Sequence, residues 1–210
     1  MAKTGEKKKD KKKSDKKLKI LAAGDIHGDI DIAKKLAKKG KKEKVDLVVL
    51  AGDIYGYSKG DEKILKPFQD AGQKIVFVPG NCDFDDECRV LERGGKNIHN
   101  YYVTYGDVGI AGIGSPNWKL SLDDSDLTEI KRNFDRMKSG KRILVSHLHA
   151  HGTTAEFSGV PGEKVLSKAV KDFKPDLLIS AHIHEAEGIE EKIGKTKVIQ
   201  VGRRGRIIEI

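Results

Sequence analysis

The sequence predicts an α/β fold with parallel strands covered by helices on their faces, and three observations carry that expectation. Short apolar runs rich in Val, Ile and Leu recur at 18–23, 46–51, 74–78, 142–146 and 177–180, as in strands buried on both sides. Amphipathic segments of helical length separate most of these runs. Each run also ends in a cluster of Gly, Asp, Asn or His rather than in an ordinary turn.

Taken in order, 18–23 reads as the first strand, followed by a lysine-rich helix over about 32–39 and a second strand at 46–51. A helix over 61–71 and a strand at 74–78 come next. The middle changes character: 101–105 and 108–113, joined by Gly106-Asp107, form an antiparallel hairpin. A helix over about 127–137 leads to the strand at 142–146, and one over about 162–173 leads to that at 177–180. The end is hairpin-like again, with 190–201 turning at Gly194-Lys195 before a last run at 206–210.

Residues 18–210 read as one domain without a linker or a repeat, and the full 210 residues are enough for an ordinary core. Residues 1–17 read as a disordered lysine-rich tail, because they hold too little apolar surface to offset the entropy of ordering them. Residues 1–19 carry ten lysines against Glu6, Asp10 and Asp15, so most of the net charge of +9 sits there. Such a run can hold phosphate backbones. The rest of the sequence shows no basic stripe interleaved with aromatics, so nucleic acid bound through the tail is not the favoured partner. The longest stretch free of Asp, Glu, Lys and Arg is 143–155, which includes three histidines. It is too short to span a membrane. Nothing at the N-terminus has the apolar segment of a secretory signal, and Cys82 and Cys88 make neither a Cys-x-x-Cys pair nor a disulfide framework. A soluble cytoplasmic protein with no membrane partner is expected; its oligomeric state is open.

The polar residues at the strand ends are chemically coherent. The first strand runs into Gly24-Asp25-Ile26-His27-Gly28, the second into Gly52-Asp53, and the third into Gly80-Asn81-Cys82-Asp83. The strand at 142–146 ends in Ser146-His147-Leu148-His149-Ala150-His151, and that at 177–180 in Ala181-His182-Ile183-His184. The carboxyl edge of an open α/β sheet is where sites are built. Asp25 with His27, and His182 with His184, are spaced i and i+2, so both side chains of each pair share one side of an extended backbone. Imidazole and carboxylate together suit manganese, iron, cobalt, nickel or zinc. Two divalent ions would bring four positive charges while Asp25 and Asp53 remove two, and the other donors are neutral. The remainder suits an anionic substrate.

These five segments resemble, in order and in approximate spacing, the motifs of the calcineurin-like metallophosphoesterase superfamily, over residues 18 to about 185. The resemblance implies two mixed β-sheets packed as a sandwich flanked by helices, with a two-metal site. It implies Asp25, His27 and His184 on one ion, Asn81, His147 and His182 on the other, and Asp53 bridging both. It implies two divalent cations, manganese first, with iron, nickel, cobalt or zinc as alternatives. Asn81, Cys82, Asp83 and His147 are the residues it marks for catalysis. Three departures touch the motifs, one being that the second motif often continues into Asp-Arg or Asn, which has no counterpart after Asp53. Cys82 stands where the family usually has the histidine that acts as general acid, and Ala181 stands where the last motif commonly has glycine. The cysteine and the small size look most like the short phosphodiesterase-type branch. His149 and His151 either line the pocket or sit in an exposed loop.

The expected activity is therefore two-metal hydrolysis of a small phosphoester, with a hydroxide bridging ions about 3.5–4 Å apart. A phosphodiester is favoured. The alternatives are a phosphomonoesterase or protein phosphatase with the same site, or a non-catalytic protein-interaction scaffold of the same fold.

Overall fold

The computed structural model describes residues 17–56 and 63–210. In chain order the elements are β1 (Lys19–Ala23), α1 (Ile30–Glu43), β2 (Leu47–Ala51), α2 (Lys66–Asp70), β3 (Ile75–Val78), α3 (Asp85–Leu91), β4 (Lys96–Asn97), β5 (Tyr101–Tyr105), β6 (Val108–Ile113), α4 (Asp124–Arg136), β7 (Lys141–Ser146), α5 (Lys164–Phe173), β8 (Leu177–Ser180), β9 (Glu190–Ile193), β10 (Thr196–Gln200) and β11 (Arg206–Glu209). The lysine-rich segment expected to be disordered lies outside the described residues, apart from Lys17.

The strands form two mixed sheets, in the order β11-β1-β2-β3-β4 and β5-β6-β7-β8-β10-β9. Neighbours among β1 to β4 are parallel, as are those along β6-β7-β8-β10, while β11, β5 and β9 run antiparallel at the edges. The alternation of side chains along each strand explains the continuous apolar runs. Ile20, Ala22, Leu47, Val49 and Val76 of the first sheet meet Ile110, Ile143, Val145, Ile179 and Ile199 of the second in one buried layer. The intervening residues face outwards. Leu21, Val48, Leu50 and Phe77 pack under Leu36 and Phe68 of the first helical layer, whereas Leu144, Leu178 and Val198 pack under α4 and α5. The chain is thus a helix–sheet–sheet–helix sandwich.

Three boundaries differ most from the sequence expectation. Helix α1 runs through Gly40 to Glu43 and ends at left-handed Lys44 rather than near Lys39. Gly40 is not a stop there. The Gln73 side chain crosses the helix at that point, donating to Ala37 O at 3.0 Å, and a Cβ on Gly40 would meet its amide nitrogen at 2.5 Å. Helix α2 is shorter than the span 61–71, whose first residues lie outside the described ones; Pro67 sits in its first turn, where a missing N–H costs nothing. The C-terminal hairpin covers only β9 and β10. Strand β11 leaves it, pairs with β1 from Lys19↔Glu209 to Ala22↔Arg206, and closes the open edge of the first sheet. Among the described residues no helix is long and apolar enough to cross a membrane.

Candidate metal centre

The carboxyl ends of β1, β2, β3, β7 and β8 converge, and the loops that leave them are tied together through their backbones. Asp25 N donates to Gly52 O (3.0 Å), His27 N to Asp53 O (2.8 Å) and Gly28 N to Ile54 O (2.9 Å), so the loops after β1 and β2 run side by side. Ala181 N donates to His147 O at 2.9 Å, joining the loops after β7 and β8. Gly52 makes the approach possible: at φ 85° a Cβ there would lie 2.5 Å from the His147 ring and 2.7 Å from the Gly80 backbone. Four of the converging residues hold left-handed backbones that are unfavourable without glycine: Asp25 (φ 54°), His27 (φ 50°), Asp53 (φ 49°) and His182 (φ 73°). Each costs on the order of 1–3 kcal/mol, and such strain persists where the surroundings demand a particular side-chain direction.

Two groups of donors result, with Asp53 between them. In the first, His27 Nε2 lies 3.1 Å from His184 Nε2, and His184 Nε2 lies 3.8 Å from Asp25 Oδ1. In the second, His147 Nε2 lies 3.0 Å from Asn81 Oδ1 and 3.2 Å from His182 Nδ1. Asp53 Oδ1 accepts the Cys82 backbone N–H at 2.8 Å, which leaves Oδ2 3.8 Å from His27 Nε2 and 3.5 Å from His147 Nε2. The donor atoms of Asp25, His27 and His184 all lie within 4.8 Å of one another, as do those of Asp25, Asp53 and His147.

The donor chemistry fits cations. His147 is fully buried and its pKa is lowered by that burial, so it is neutral and carries one ring proton. That proton goes from Nδ1 to Ala51 O at 2.9 Å, which leaves a lone pair on Nε2 facing the Asn81 carbonyl oxygen. The Asn81 Nδ2 is turned away, donating to Cys82 Sγ at 3.3 Å. Two acceptors 3.0 Å apart repel unless a cation lies against both, and a backbone-fixed imidazole is the usual support of a metal-ligating histidine. Burial likewise lowers His27, and burial together with neighbouring His147 holds His182 down to about 4. Asp25 is pushed up, first by burial and then by the charge of Asp53. Its Oδ2 is buried with no hydrogen-bond partner. A dication held by Asp25 would offset that penalty.

His27, Asp53, Asn81, His182 and His184 line an open cleft of about 790 Å³, whereas Asp25 and His147 are buried and do not line it. Arg203 lines it as well, anchored by its Nε donating to Asp25 O at 2.7 Å. Sequence reasoning did not single out Arg203, because it reaches the site from the turn before β11, far along the chain and outside any motif.

The other sequence candidates fall into place around this centre. Asp83 is fully buried and accepts three backbone N–H groups, from Gly80 (2.8 Å), Tyr55 (2.8 Å) and Ile54 (3.2 Å). Burial pushes its carboxyl up to about 7 against the pull of those donors. It is a positioning residue that ties the loop after β3 to the loop after β2, and it does not line the cleft. Cys82 is buried beside Asp53, with Sγ within 4.8 Å of donor atoms of His27 and Asp53. It does not line the cleft either. His149 is buried, with its Nε2 3.3 Å from Val160 O and its ring stacked on His182 at 6.4 Å between centroids. His151 is exposed and pairs with Glu156 at 2.7 Å.

Comparison with known proteins bears on the family and the fold. The family model for calcineurin-like phosphoesterases matches residues 18–186. The uncharacterized protein MJ1162 of Methanocaldococcus jannaschii is 30% identical over 196 residues, 88% of each chain. Among solved structures, TT1561 of Thermus thermophilus matches with a TM-score of 0.71 at 16% identity, over 92% of this chain and 99% of that one. A protein described as a novel archaeal phosphodiesterase matches with a TM-score of 0.51 at 17% identity, over 92% of this chain and all of its own.

Proposed function

This chain belongs to the calcineurin-like phosphoesterase family, and we propose that it hydrolyses phosphodiesters with two divalent ions, manganese first among them. The observation that carries the reading is the pair of donor groups sharing Asp53 in one cleft. Asp25, His27 and His184 would hold one ion and Asn81, His147 and His182 the other. Bound there, divalent ions supply Lewis acidity toward phosphoryl oxygens and a nucleophile drawn from water at neutral pH.

The chain's own residues do the rest. Asp53 presents one oxygen toward both groups because the Cys82 N–H occupies the other. His147 keeps its Nε2 lone pair directed inward because Ala51 holds its proton. With only two carboxylates among seven donors, the centre would keep positive charge once two dications were bound, while Arg203 and Glu185 at the wall of the cleft offset one another. An anionic phosphoryl group is attracted and neutralised there.

Two points favour a diester with a good leaving group. Cys82 occupies the position of the family's general acid but is buried and does not line the cleft, and His149, the nearest imidazole outside the donor set, is turned to Val160 O. The archaeal phosphodiesterase shares the fold. The same reading places the protein in the cytoplasm, where buried thiols such as those of Cys82 and Cys88 stay reduced. The test is metal analysis of protein loaded with manganese, with turnover of bis(p-nitrophenyl) phosphate and of p-nitrophenyl phosphate. Two ions per chain and faster diester turnover are expected. Faster monoester turnover would make the protein a phosphomonoesterase, and binding of one ion or none would overturn the two-ion reading.

A further inference from the structure

The cleft has a second wall that phosphoryl chemistry does not use. Besides the donor residues, Arg203, Ile183 and Glu185, the cleft is lined by Phe157, Ser158 and Val160. Phe157 is 60% exposed and Val160 39% exposed, in a chain whose Phe, Trp and Tyr together make up only 6%. An aromatic ring left in water at the mouth of a polar site gives up burial energy that a core position would have provided.

This wall is held firmly. It is the end of a short 3-10 turn, Thr154–Ser158, together with Val160 just beyond it. Glu156 accepts from Gly152 N (3.1 Å) and Gly162 N (2.8 Å) and pairs with His151, which closes the loop at its base. Thr154 donates through N and Oγ1 to the carboxylate of Glu191 on β9, at 2.9 and 3.2 Å. Underneath, Ala155 packs with Ile183 and Ala186 in a small buried cluster, so the wall is fastened to the segment that carries His182 and His184. On the other side Val160 O lies 3.3 Å from His149, whose ring stacks on His182. The spacing between the wall and the donor groups is therefore built in.

We propose that Phe157 and Val160 form a specificity subsite that stacks a flat aromatic group of the substrate, a nucleobase or one of similar shape, while its phosphoryl group lies on the donor groups beside Arg203. This rests on the function proposed above and goes beyond it by naming the substrate class: a nucleotide-like phosphoester rather than a simple alkyl one. The phosphoryl end meets positive charge and polar donors, and the organic end meets a face of Phe157. Stacking of this kind tolerates any base, because every base has a π face.

The experiment is calorimetric titration of the manganese-loaded full-length protein with adenosine monophosphate and with methyl phosphate, which share the phosphoryl group and differ only in the organic part. The wild-type protein should bind adenosine monophosphate at least about tenfold more tightly than methyl phosphate, a margin of the size that base stacking supplies. Phe157→Ala should bring the two affinities together, and Phe157→Trp should keep them apart. Equal affinities in the wild-type protein, or a preference that survives Phe157→Ala, would overturn the subsite while leaving the hydrolytic reading intact. Failure of methyl phosphate to bind, together with no turnover of either nitrophenyl ester, would instead overturn the hydrolytic reading on which the subsite rests.

Discussion

The two halves of the metal centre use the same kinds of donor but differ in how far the protein fixes them. In the half formed by Asn81, His147 and His182, the His147 ring is fully buried, its tautomer is set by Ala51 O, and Asn81 is 6% exposed. In the half formed by Asp25, His27 and His184, the carboxylate is buried but the His184 side chain is 53% exposed and lies at the start of a single 3-10 turn. A ligand already held in its working orientation loses little entropy when an ion arrives, whereas an exposed one must be immobilised first. The buried half should therefore bind its ion more tightly. The open half should exchange its ion more readily and be the one through which the cleft is loaded.

Asp53 is the element common to both halves, so its loss should have the largest effect. Asp53→Asn keeps the shape but removes the charge between His27 and His147, and it should weaken both ions by more than about a hundredfold. Calorimetric titration with manganese should then show neither site near its wild-type affinity. Retention of one tight site would assign Asp53 to a single half. Asp83→Ala comes next, and it should strike the fold before the metal. Three buried backbone N–H groups would lose their acceptor, at about 1–3 kcal/mol for each group left unsatisfied. Even the low end of that range, about 3 kcal/mol for the three groups together, lowers the melting temperature of a domain this large by roughly 6–12 °C. A melting curve like that of the wild-type protein would show that Asp83 is not the brace between the loops after β2 and β3.

His184→Ala tests the contrast itself. It should cost the open half roughly tenfold to a hundredfold in affinity while the buried half keeps its ion, so that metal analysis after desalting returns about one ion per chain in place of two. Loss of both ions would mean that the halves are coupled more strongly than their separate supports suggest.

Much of this arrangement is visible in the sequence, and the reason is local. Asp25 with His27 and His182 with His184 are paired by the period of an extended chain, and each pair follows directly on an apolar strand. What the sequence hides is whatever depends on distant segments meeting. Arg203 reaches the cleft from the turn before β11, and β11 itself crosses to the opposite sheet. Phe157 and Val160 belong to a short turn without an apolar run of its own, and their place is set by contacts with Glu191 and Ile183. The role of Asp83 is hidden too, because its partners are backbone amides of residues 54, 55 and 80, which carry no sequence signal. Helix α3, highly charged and only seven residues long, and the two-residue β4 lack the periodicity that marks the longer elements.

Acidity provides a finer probe of the buried half. His182 is held down to about 4 in the folded chain, well below an ordinary histidine near 6.5. The unfolded chain therefore takes up a proton first as the pH falls. The stability that goes with a neutral His182 is full above about 6.5 and is lost progressively toward about 4. In metal-free protein, the wild type should accordingly lose more of its melting temperature than His182→Gln as the pH is lowered from 7 to 4.5. Equal losses over that range would show that His182 does not feel the buried environment described here.

The smallest effect is expected at Cys82, although its neighbours are the most important residues in the centre. The bond that matters there, the Cys82 N–H to Asp53 Oδ1 at 2.8 Å, belongs to the backbone and survives any side-chain change other than proline. The side chain contributes an acceptor for Asn81 Nδ2 at 3.3 Å and fills a position only 2% exposed. Cys82→Ala should thus alter the turnover of bis(p-nitrophenyl) phosphate by less than about threefold, since a sulfur is a weak acceptor and nitrophenolate leaves without a proton. Cys82→His is the informative contrast. An imidazole there could donate a proton to a poor leaving group, so kcat/KM for alkyl phosphodiesters should rise more than that for nitrophenyl diesters. Because the larger ring must enter a tightly packed position, metal content and melting temperature belong beside the kinetics for each variant. If Cys82→Ala abolished nitrophenyl diester turnover while both ions stayed bound, the thiol would take part in the reaction, and the position under Asp53 would be catalytic rather than supporting.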